Sequence, residues 1–405
     1  MAPLSVDQAL ARIVEGVAPI SATETVSLLD AGGRTTAEAV AAKLTQPPFN
    51  ASAMDGYAVR IGDVLTLPVT LSVIGEAAAG HAFTSQTPGK DEAVRIFTGA
   101  PVPDGCDAIV IQENTTRDGD RLTVVDGTPD PSHIRPAGGD FKTGETKINA
   151  NHLLTPRNIS LIAAMGHRDI QVRRRPRVAI LATGDELVAP GETPGPGQII
   201  SSNPVGLAAM VRRAGATADV LDIARDTAES LDEKIALAKH SADILVTIGG
   251  ASVGDHDLVA PRLKAQGMSL DFWKIAMRPG KPLLFGRFDS MAVLGLPGNP
   301  VSSLICGRIF LVPLIHALLG LEANIGLTET MAQLTTKLPA NGPRQHYMRA
   351  TVARGENGTR EVTPAGSQDS SLLSILADAN ALIVRPPHAT ALAPGADVAV
   401  LPLDF

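Results

Sequence analysis

Residues 178–187 read VAILATGDEL, an apolar run that ends in glycine and two carboxylates. Three later stretches have a similar make-up: ADVLDIA at 218–224, DILVTIGG at 243–250 and MAVLGLPG at 291–298. Near-continuous apolar runs of strand length are typical of parallel strands that are buried on both faces. The four runs therefore predict a buried parallel sheet.

Helical segments separate these strands. The pattern predicts helices over 203–215, 226–240 and 299–320, and the first and third of them begin with Asn-Pro and end at glycine. Proline is favoured in the first turn of a helix and glycine just beyond its last turn. Because strands and helices alternate, we predict that residues 176–325 form a doubly wound α/β domain.

The sequence changes character on both sides of this region. Residues 46–140 contain short β-rich runs separated by Gly, Pro and Asp, which predicts a small all-β module. Residues 326–405 return to short strands and turns, interrupted by one helical patch, and predict a second small β domain. The chain opens with an amphipathic helix in which Ser5 and Gln8 form a capping-box pattern.

The segments beside the first β module have weaker patterns. We expect a short helix over TTAEAV (35–40) and a longer one within TPRNISLIAAMG (155–166). The basic run RRRPR (173–177) is interpreted as a solvated linker, because its proline interrupts any helix and no aromatic residues are interleaved with the charges.

The composition limits the class of function. The 405-residue chain has a net charge of −7 and 3% aromatic residues, whereas nucleic-acid binding needs a basic surface and aromatic side chains for base stacking. No apolar run approaches the ~20 residues that cross a bilayer, and the first residues lack a signal-peptide core. We expect a cytoplasmic protein without nucleic-acid or membrane partners. Cys106 and Cys306 have no metal-ligand spacing and are expected to be buried thiols.

Polar residues follow three of the predicted strands, in ATGDEL (182–187), IGGASVGDHD (248–257) and GLPGNP (295–300). Ligands of open parallel sheets bind outside the carboxyl ends of the strands, where loops and helix starts converge. Asn299 and Pro300 are expected at a helix start, whose free backbone N–H groups suit an oxyanion or phosphate. A plain helix cap would give the same pattern, so both interpretations stay open.

A cationic loop precedes the last of these strands. Lys274, Arg278 and Lys281 fall within eight residues, with Pro and Gly between them. The acidic residues of the same edge are hard oxygen ligands that suit Mg²⁺ held jointly with substrate phosphates. They are Asp185, Glu186, Asp226, Asp255 and Asp257. The set favours a magnesium-phosphate site, and a purely structural cluster of salt bridges is the alternative.

Motifs for a nucleotide loop are absent from the sequence. There is no GxxxxGK[ST] and no complete GxGxxG, which are patterns of nucleotide-binding loops. GASVG (250–254) has the GxSxG spacing of hydrolases, but no plausible Cys–His partnership or other nucleophile is prominent. Positioning and electrostatics would therefore have to supply the rate, as they do in phosphoryl transfer.

Six motifs occur in a specific order along the chain. They are SAMDGYAVR (52–60), RIFTGAPVP (95–103), TGDEL (183–187), GGASVGDHD (249–257), RPGKP (278–282) and LPGNP (296–300). With these motifs the chain resembles the molybdopterin molybdenumtransferase family, MoeA and the gephyrin E domain, over nearly its whole length. The resemblance implies four domains: a helical linker domain (1–45 and 141–175), an inserted β domain (46–140), a doubly wound molybdopterin-binding α/β domain (176–325) and a C-terminal β-barrel (326–405).

The resemblance also implies a reaction. It is the Mg²⁺-dependent insertion of molybdate into adenylylated molybdopterin, which releases AMP and forms molybdenum cofactor, in a homodimer with sites at the subunit interface. The adenylyltransferase of the preceding step is an expected partner. Two other functions stay open: adenylylation of molybdopterin, against which the extra β domains speak, and a non-catalytic scaffold, against which the intact acidic and lysine motifs speak.

The motifs carry the family's site residues onto this sequence. The implied catalytic residues are Asp55, Thr98, Asp140, Glu186, Asp226, Lys274, Arg278 and Lys281. The implied substrate contacts are Gly249, Gly250, Ser252, Pro297, Gly298, Asn299, Arg344 and Ser370, and the implied metal ligands are Glu186 and Asp257.

The sequence departs from the family pattern at a few positions. Arg278 stands where lysine is more common, so a planar fork replaces a compact ammonium. Asn50 and Gly139 stand where acidic residues are common, and we assign neither a catalytic role. Asp55 lies more than a hundred residues before the α/β motifs. Since the family forms an elongated homodimer, the resemblance implies that the Asp55 loop completes the crevice of the partner subunit.

Overall fold

A computed structural model describes residues 3–127, 129–250, 258–323 and 326–405 of the chain. Within these ranges the α-helices are α1 Val6–Val14, α2 Pro156–Ala164, α3 Asn203–Arg213, α4 Ala228–Ser241, α5 Val259–Ala265, α6 Pro300–Cys306, α7 Val312–Leu318 and α8 Leu373–Asp378. The strands are β1 Thr23–Ser27, β2 Val40–Ala41, β3 Ala51–Ser52, β4 Gly56–Val59, β5 Val69–Ala77, β6 Glu92–Ile96, β7 Ala108–Ile111, β8 Thr115–Asp118, β9 Arg121–Val124, β10 Ile134–Arg135, β11 Thr146–Ile148, β12 Asp169–Arg173, β13 Arg177–Ala182, β14 Leu187–Val188, β15 Ile199–Ile200, β16 Thr217–Val220, β17 Ile244–Ile248, β18 Ser269–Phe272, β19 Met277–Arg278, β20 Leu284–Phe288, β21 Met291–Leu296, β22 Thr330–Leu334, β23 Gln345–Arg354, β24 Arg360–Pro364, β25 Ala381–Arg385 and β26 Asp397–Pro402.

The chain divides into two compact units. The larger unit contains Met1–Glu24, Gly33–Thr35 and Val172–Phe405, and the smaller contains Thr25–Gly32 and Thr36–Gln171. The smaller unit holds the predicted inserted β module. The larger unit holds the α/β region and the last β domain.

A six-stranded sheet in the order β7-β4-β6-β5-β9-β8 forms the centre of the smaller unit. Successive side chains of a strand point to opposite faces, and both faces of this sheet are covered. Tyr57 and Val59 pack on one face, and Ala58 packs on the other with Val94 and Ile109. The helix predicted in 155–166 is α2, with a reciprocal capping box between Thr155 and Asn158.

The short helix predicted over residues 35–40 is wrong. The backbone N–H of Thr36 donates to the carbonyl of His152 (3.0 Å), and that of Ala37 donates to Gln171 (3.1 Å). These long-range bonds take the donors that a helix would use. The segment then continues into β2, which pairs with β11.

The α/β region contains a six-stranded sheet in the order β16-β13-β17-β21-β20-β18. The first four strands are the predicted ones and run parallel, while β20 and β18 add two antiparallel strands at one edge. Helices cover both faces, as a doubly wound fold requires. Ile180 packs with Leu207 of α3 and Ile305 of α6, and Leu181 packs with Leu231 of α4 on the opposite face.

The helix predicted over 299–320 consists of α6, a π-helical turn at Gly307–Leu311, and α7. Its 19 residues from Pro300 to Leu318 have a mean hydropathy of 1.8, enough by length and composition to cross a membrane. The expectation that no run comes close to that length is therefore wrong. Because 83% of the apolar window is buried inside the fold, the segment has the burial of a core helix.

The last β domain is a closed barrel. Its strands pair in the ring β23-β24-β22-β26-β25, and β25 pairs back with β23. Val362, Ile383 and Val400 fill the interior, whereas Tyr347 and Leu382 belong to the core of the α/β region. Strand β19 adds to β23 in parallel, so a strand from the α/β region extends the barrel sheet.

The basic run at 173–177 is not a solvated linker. Arg173 donates from Nη1 to the carbonyl of Ile20 (2.6 Å). Arg174 makes two hydrogen bonds to the Asp243 carboxylate (2.9 and 3.0 Å), which also accepts the N–H of Arg177 (2.7 Å). The hydrogen bonds of Arg174 and Arg177 connect this segment to Asp243, at the start of β17.

Of the two cysteines, Cys306 is buried as expected, and Cys106 is only half-buried.

Candidate functional site

A cleft of about 560 Å³ opens at the carboxyl ends of β13, β17 and β21. This is the position where open parallel sheets bind their ligands, because the loops after the strands meet there. All three motif loops contribute to its walls. Of the residues implied by the resemblance, Glu186, Gly249, Gly250, Pro297, Gly298 and Asn299 line it.

Glycine lets the loops after β17 and β21 approach each other closely. Gly249 has φ +88°, a conformation that favours glycine, and its N–H donates to the carbonyl of Leu296 (3.1 Å). A Cβ on Gly249 would lie 3.1 Å from the carbonyl oxygen of Thr183. Glycine at this position thus leaves backbone exposed to the cleft.

The described acidic residues of this edge fall into two kinds. Asp226 is held: its Oδ1 accepts the hydroxyl of Thr183 (3.0 Å), and its own N–H donates to Asp185 Oδ1 (3.3 Å). Glu186 is exposed and lines the cleft, and within the described ranges its carboxylate accepts no hydrogen bond. A Cβ at Gly184 would overlap the Glu186 carboxylate, so glycine makes room for it.

Three expected acidic or polar residues, Ser252, Asp255 and Asp257, lie outside the described residues. In the part of the chain that is described, no group of three or more His, Cys, Asp or Glu side chains is arranged to hold a metal ion.

The cationic loop is placed in three different settings. Lys274 is half-buried with its Nζ 5.0 Å from the centroid of the Trp273 ring, and it lines a separate cleft with Arg12. Lys281 is exposed, and its carbonyl accepts the N–H of Ile275 (3.1 Å), which closes the loop. Arg278 is exposed on β19. The expected cations are therefore not gathered on the lining of the first cleft.

The alternative of a purely structural salt-bridge cluster finds no support among the described residues. The ion pairs within 4 Å involve none of Glu186, Asp226, Lys274, Arg278 and Lys281. Of these five charges, Glu186 lines the cleft, and an exposed charge without an ion-pair partner is free to bind a ligand.

The side chain of Asn299 does not cap its own helix. Its Nδ2 donates to Ser370 Oγ (2.9 Å), and the N–H of Val301 donates to the carbonyl of Ser370 (3.1 Å). The expectation of free N–H groups at this helix start is therefore wrong for Val301. A carbonyl in a loop of the barrel domain accepts that N–H, and the neighbouring Ser371 lines the cleft.

Arg349 holds this barrel loop, and sequence reasoning missed it. Its guanidinium is 1% exposed and donates to the carbonyls of Ser367 (3.1 Å), Asp369 (2.8 Å) and Leu372 (2.9 Å). The side-chain amide of Gln368 accepts the N–H of Arg349 at Oε1 (2.9 Å) and donates from Nε2 to the carbonyl of Arg349 (3.0 Å). The usable signal was an arginine inside the apolar strand run HYMRAT (346–351).

Arg344, which the resemblance implies as a substrate contact, lies just before β23. It is half-exposed, and its carbonyl accepts a hydrogen bond from Asn341 Nδ2 (2.9 Å). Its guanidinium makes no hydrogen bond with the residues that the structure describes. Its role as a substrate contact stays a prediction.

Asp55 and Thr98 come together in the smaller unit, as their two motifs imply. Strands β4 and β6 pair Gly56 with Ile96. This pairing places Asp55, just before β4, close to Thr98, just after β6. Asp55 Oδ1 accepts both the N–H and the hydroxyl of Thr98 (2.8 Å each). These hydrogen bonds, with a smaller contribution from Arg95, hold the pKa of Asp55 below its usual value.

Asp140 and Asn50 have backbone and turn contacts only. Asp140 is exposed, its N–H donates to the carbonyl of Gln46 (3.0 Å), and no described residue hydrogen-bonds its carboxylate. Asn50 Oδ1 accepts the N–H of Ala137 (2.9 Å). That contact joins the loop of Asn50 to the loop of Ala137.

Three family models match the chain and together span most of it. Residues 4–166 match the MoeA N-terminal region (domain I and II), residues 179–317 a probable molybdopterin binding domain, and residues 331–403 the MoeA C-terminal region (domain IV).

Whole-chain relatives and solved structures agree with these matches. A molybdopterin molybdenumtransferase of Haemophilus influenzae is 34% identical, with 99% of each chain covered. One of a Nostoc species is 38% identical over 94% of this chain and 89% of its own. The crystal structure of a molybdopterin biosynthesis MoeA protein from Pyrococcus horikoshii superposes with a TM-score of 0.84 at 26% identity, covering 98% and 99% of the two chains.

Proposed function

We propose, from the premise that this chain belongs to the molybdopterin molybdenumtransferase family, that it inserts molybdate into adenylylated molybdopterin and releases AMP. Relatives that are 33–38% identical over most of the chain support molybdenum insertion in the making of molybdenum cofactor. The observation that carries the finer proposal is the cleft at the strand ends, whose wall combines Glu186 with glycine backbone. Bare glycine backbone lets a phosphate approach closely, and the Glu186 carboxylate can share a bound cation with that phosphate.

The cleft residues would act mainly by positioning. Bare backbone at Gly249 and Gly298 lets a phosphate group approach the loops closely. Arg278 and Lys281 are exposed cations of the adjoining loop, and they would attract the two oxyanions, adenylate phosphate and molybdate. Asn299 and Ser370 hold the barrel loop beside the helix start. Each of these roles is electrostatic or steric.

Mg²⁺ is the proposed cofactor, and the residues present fit it. Magnesium is usually bound through one or two carboxylates together with substrate phosphates. Glu186 offers a cleft carboxylate that accepts no hydrogen bond from any described residue, and we propose Glu186 and Asp257 as the protein ligands. When bound, the ion would neutralise charge on the phosphate oxygens.

We propose that the enzyme is a homodimer in which Asp55 and Thr98 of one subunit complete the cleft of the other. Thr98 fixes the Asp55 carboxylate in one orientation, as a group that positions a substrate requires. Mixed dimers of Asp55→Asn and Lys274→Ala chains should regain one intact site each. Unmixed preparations are the control, and mixed dimers that stay inactive would show that Asp55 acts within its own chain.

The reaction itself can be tested with adenylylated molybdopterin. Wild-type protein should release AMP only when molybdate and Mg²⁺ are both present. Glu186→Gln should lose this activity, and Glu356→Gln, an exposed residue of a distant turn, should keep it. Release of AMP without molybdate would contradict the proposal, and formation of adenylylated molybdopterin from ATP would favour the adenylyltransferase alternative.

Three further expectations accompany this function. The four-domain division (1–45 with 141–175, 46–140, 176–325 and 326–405) is proposed as the functional organisation. The adenylyltransferase of the preceding step is a proposed partner, because it makes the substrate. The cytoplasm is the proposed location.

A further inference from the structure

A second cleft in the larger unit lies beside the end of β18, and it shares no lining residue with the first cleft. Its volume is about 470 Å³, and its lining includes Leu4, Leu270, Trp273 and Lys274. We call it the tryptophan cleft. Pockets for small organic ligands measure roughly 300–1,000 Å³ and combine apolar and aromatic walls with a few polar groups. The tryptophan cleft therefore has the size and the lining for an organic ligand.

Trp273 is the only tryptophan of the chain, and it is 37% exposed, whereas Phe272 before it is 6% exposed and belongs to the core of the α/β region. Backbone hydrogen bonds fix the segment that carries the exposed ring. The N–H of Leu4 donates to the carbonyl of Lys274 (3.2 Å), and the N–H of Ala276 donates to the carbonyl of Leu4 (2.7 Å). An exposed aromatic ring on a fixed backbone is suited to stacking against a flat heterocycle.

The charges of the tryptophan cleft add a preference for an anion. Arg12 and Asp271 form an ion pair in its lining (2.8 Å), which leaves Lys274 as the net charge. Lys274 Nζ lies over the Trp273 ring, 5.0 Å from the ring centroid. An ammonium group beside an aromatic ring suits a heterocycle that carries phosphate, because the ring can stack while the ammonium binds the phosphate.

The strand directions place the tryptophan cleft at the same edge of the sheet as the first cleft. Strand β20 is antiparallel to both β18 and β21, so the carboxyl ends of β18 and β21 lie at one edge. Two strand spacings separate these ends, about 10 Å. The connection between β18 and β20 lines both clefts, with Trp273 and Lys274 at its start and Pro282 near its end.

We propose that Trp273 stacks on a fused heteroaromatic ring of the substrate while the first cleft binds the rest of that molecule. The inference rests on the proposed function, whose substrate has two such rings, a pterin and an adenine, at the two ends of a pyrophosphate. Two rings joined in this way can occupy sites about 10 Å apart. Lys274 then faces the phosphate next to the stacked ring, which gives a role to a lysine that does not line the first cleft.

The fluorescence of Trp273 reports on this site alone, because the chain has no other tryptophan. AMP and hydroxymethylpterin are titrated separately into the full-length wild-type protein, with a correction for absorbed light. At least one of them should quench the emission to saturation, and the probe that does so identifies the stacked ring. Quenching by both probes that only matches their quenching of free N-acetyltryptophanamide would overturn the proposal.

A kinetic experiment uses variants of the same residue. Trp273→Ala should raise KM for adenylylated molybdopterin about tenfold or more, the loss expected when one base–aromatic stack is removed. Its kcat should stay within about twofold, because a remote binding contact is lost from substrate and transition state alike. Trp273→Phe keeps a stacking ring and should stay close to wild type in both constants.

Leu237→Ala is the matched control, since Leu237 is 50% exposed on α4 and lines neither cleft. An unchanged KM in Trp273→Ala would overturn the proposal. If the wild-type protein releases no AMP, yet a probe quenches Trp273 and calorimetry shows weaker binding of that probe to Trp273→Ala, the stacking site stands and the proposed reaction fails. Molybdate-dependent AMP release without quenching by either probe would leave the reaction standing and refute the stacking site.

Discussion

Asp55 and Glu186 are both exposed carboxylates of motif loops, but their surroundings differ. Asp55 accepts two hydrogen bonds from Thr98. Glu186 accepts none from the residues that the structure describes, and its carboxylate occupies the space that a Cβ on residue 184 would need. A carboxylate held by the protein can orient a substrate, and an unheld one can bind an ion. This difference is the basis of the two roles proposed above for Asp55 and Glu186.

The largest expected effect tests this difference directly. Glu186→Gln and Asp55→Asn should each lower kcat for molybdate-dependent AMP release about a hundredfold or more, the size seen when a single positioned electrostatic group is removed. Only Asp55→Asn should also lower the melting temperature, because the amide weakens two hydrogen bonds. A stability loss in Glu186→Gln would show that this side chain has a structural role.

The barrel loop gives the next contrast, between a held and an unheld arginine. Arg349→Met should lower the free energy of unfolding by about 3 kcal/mol, since it removes the buried donor of three hydrogen bonds to the carbonyls of the loop. Arg344→Met should change it by no more than about 0.5 kcal/mol, as is usual for an exposed site. Urea unfolding measures both, and similar losses would refute the assignment of the loop to Arg349.

Acid should affect Asp55 in a predictable direction. Its pKa is lowered in the folded protein, so the stability from its hydrogen bonds is present above the pKa of the unfolded chain and is lost as the pH falls through the folded pKa. Thr98→Val removes the hydroxyl donor, so this loss should begin at higher pH. Thr98→Ser should behave as wild type, and melting temperature against pH is the measurement.

The smallest expected effect concerns the contact between the barrel loop and the helix start. Ser370→Ala and Asn299→Ala should be coupled by about 1 kcal/mol in a double-mutant cycle on stability, the value of one hydrogen bond. Ser371→Ala with Asn299→Ala should show no coupling, because the Ser371 hydroxyl donates to Asp369 (2.8 Å). Coupling in the second pair would mean that the mutations act through a rearrangement of the entire loop and not through the Asn299–Ser370 hydrogen bond.

The sequence predicted the parts of the fold that depend on local pattern. The four apolar runs became parallel strands, and the Asn-Pro and glycine signals bounded α3 and the helix from α6 to α7. The helix expected at 35–40 failed because backbone bonds to His152 and Gln171 compete with it. The two antiparallel strands at the sheet edge, β18 and β20, were not predicted. They flank the cationic loop, whose charges and prolines dominate the sequence pattern there.

The site shows the same division. Motif order brought Asp55 to Thr98 and put Glu186 and Gly249 at the cleft, since those positions follow from strand ends. The role of Arg349 depends on a loop about twenty residues later that folds back over it. Such a contact does not follow from the regular spacing of residues in a helix or strand, so it can be seen only in the folded chain.

The joining of β19 to β23 has a consequence for how this chain can be divided. The final 80 residues look like a separable module in the sequence, yet their outer face, with Tyr347 and Leu382, completes the core under α6 and α7. A chain cut before residue 326 would leave that core open to water and β19 without its neighbour. Gene fusions or truncations at this boundary should therefore yield aggregating products, and the recombination points that preserve folding should lie elsewhere in the chain.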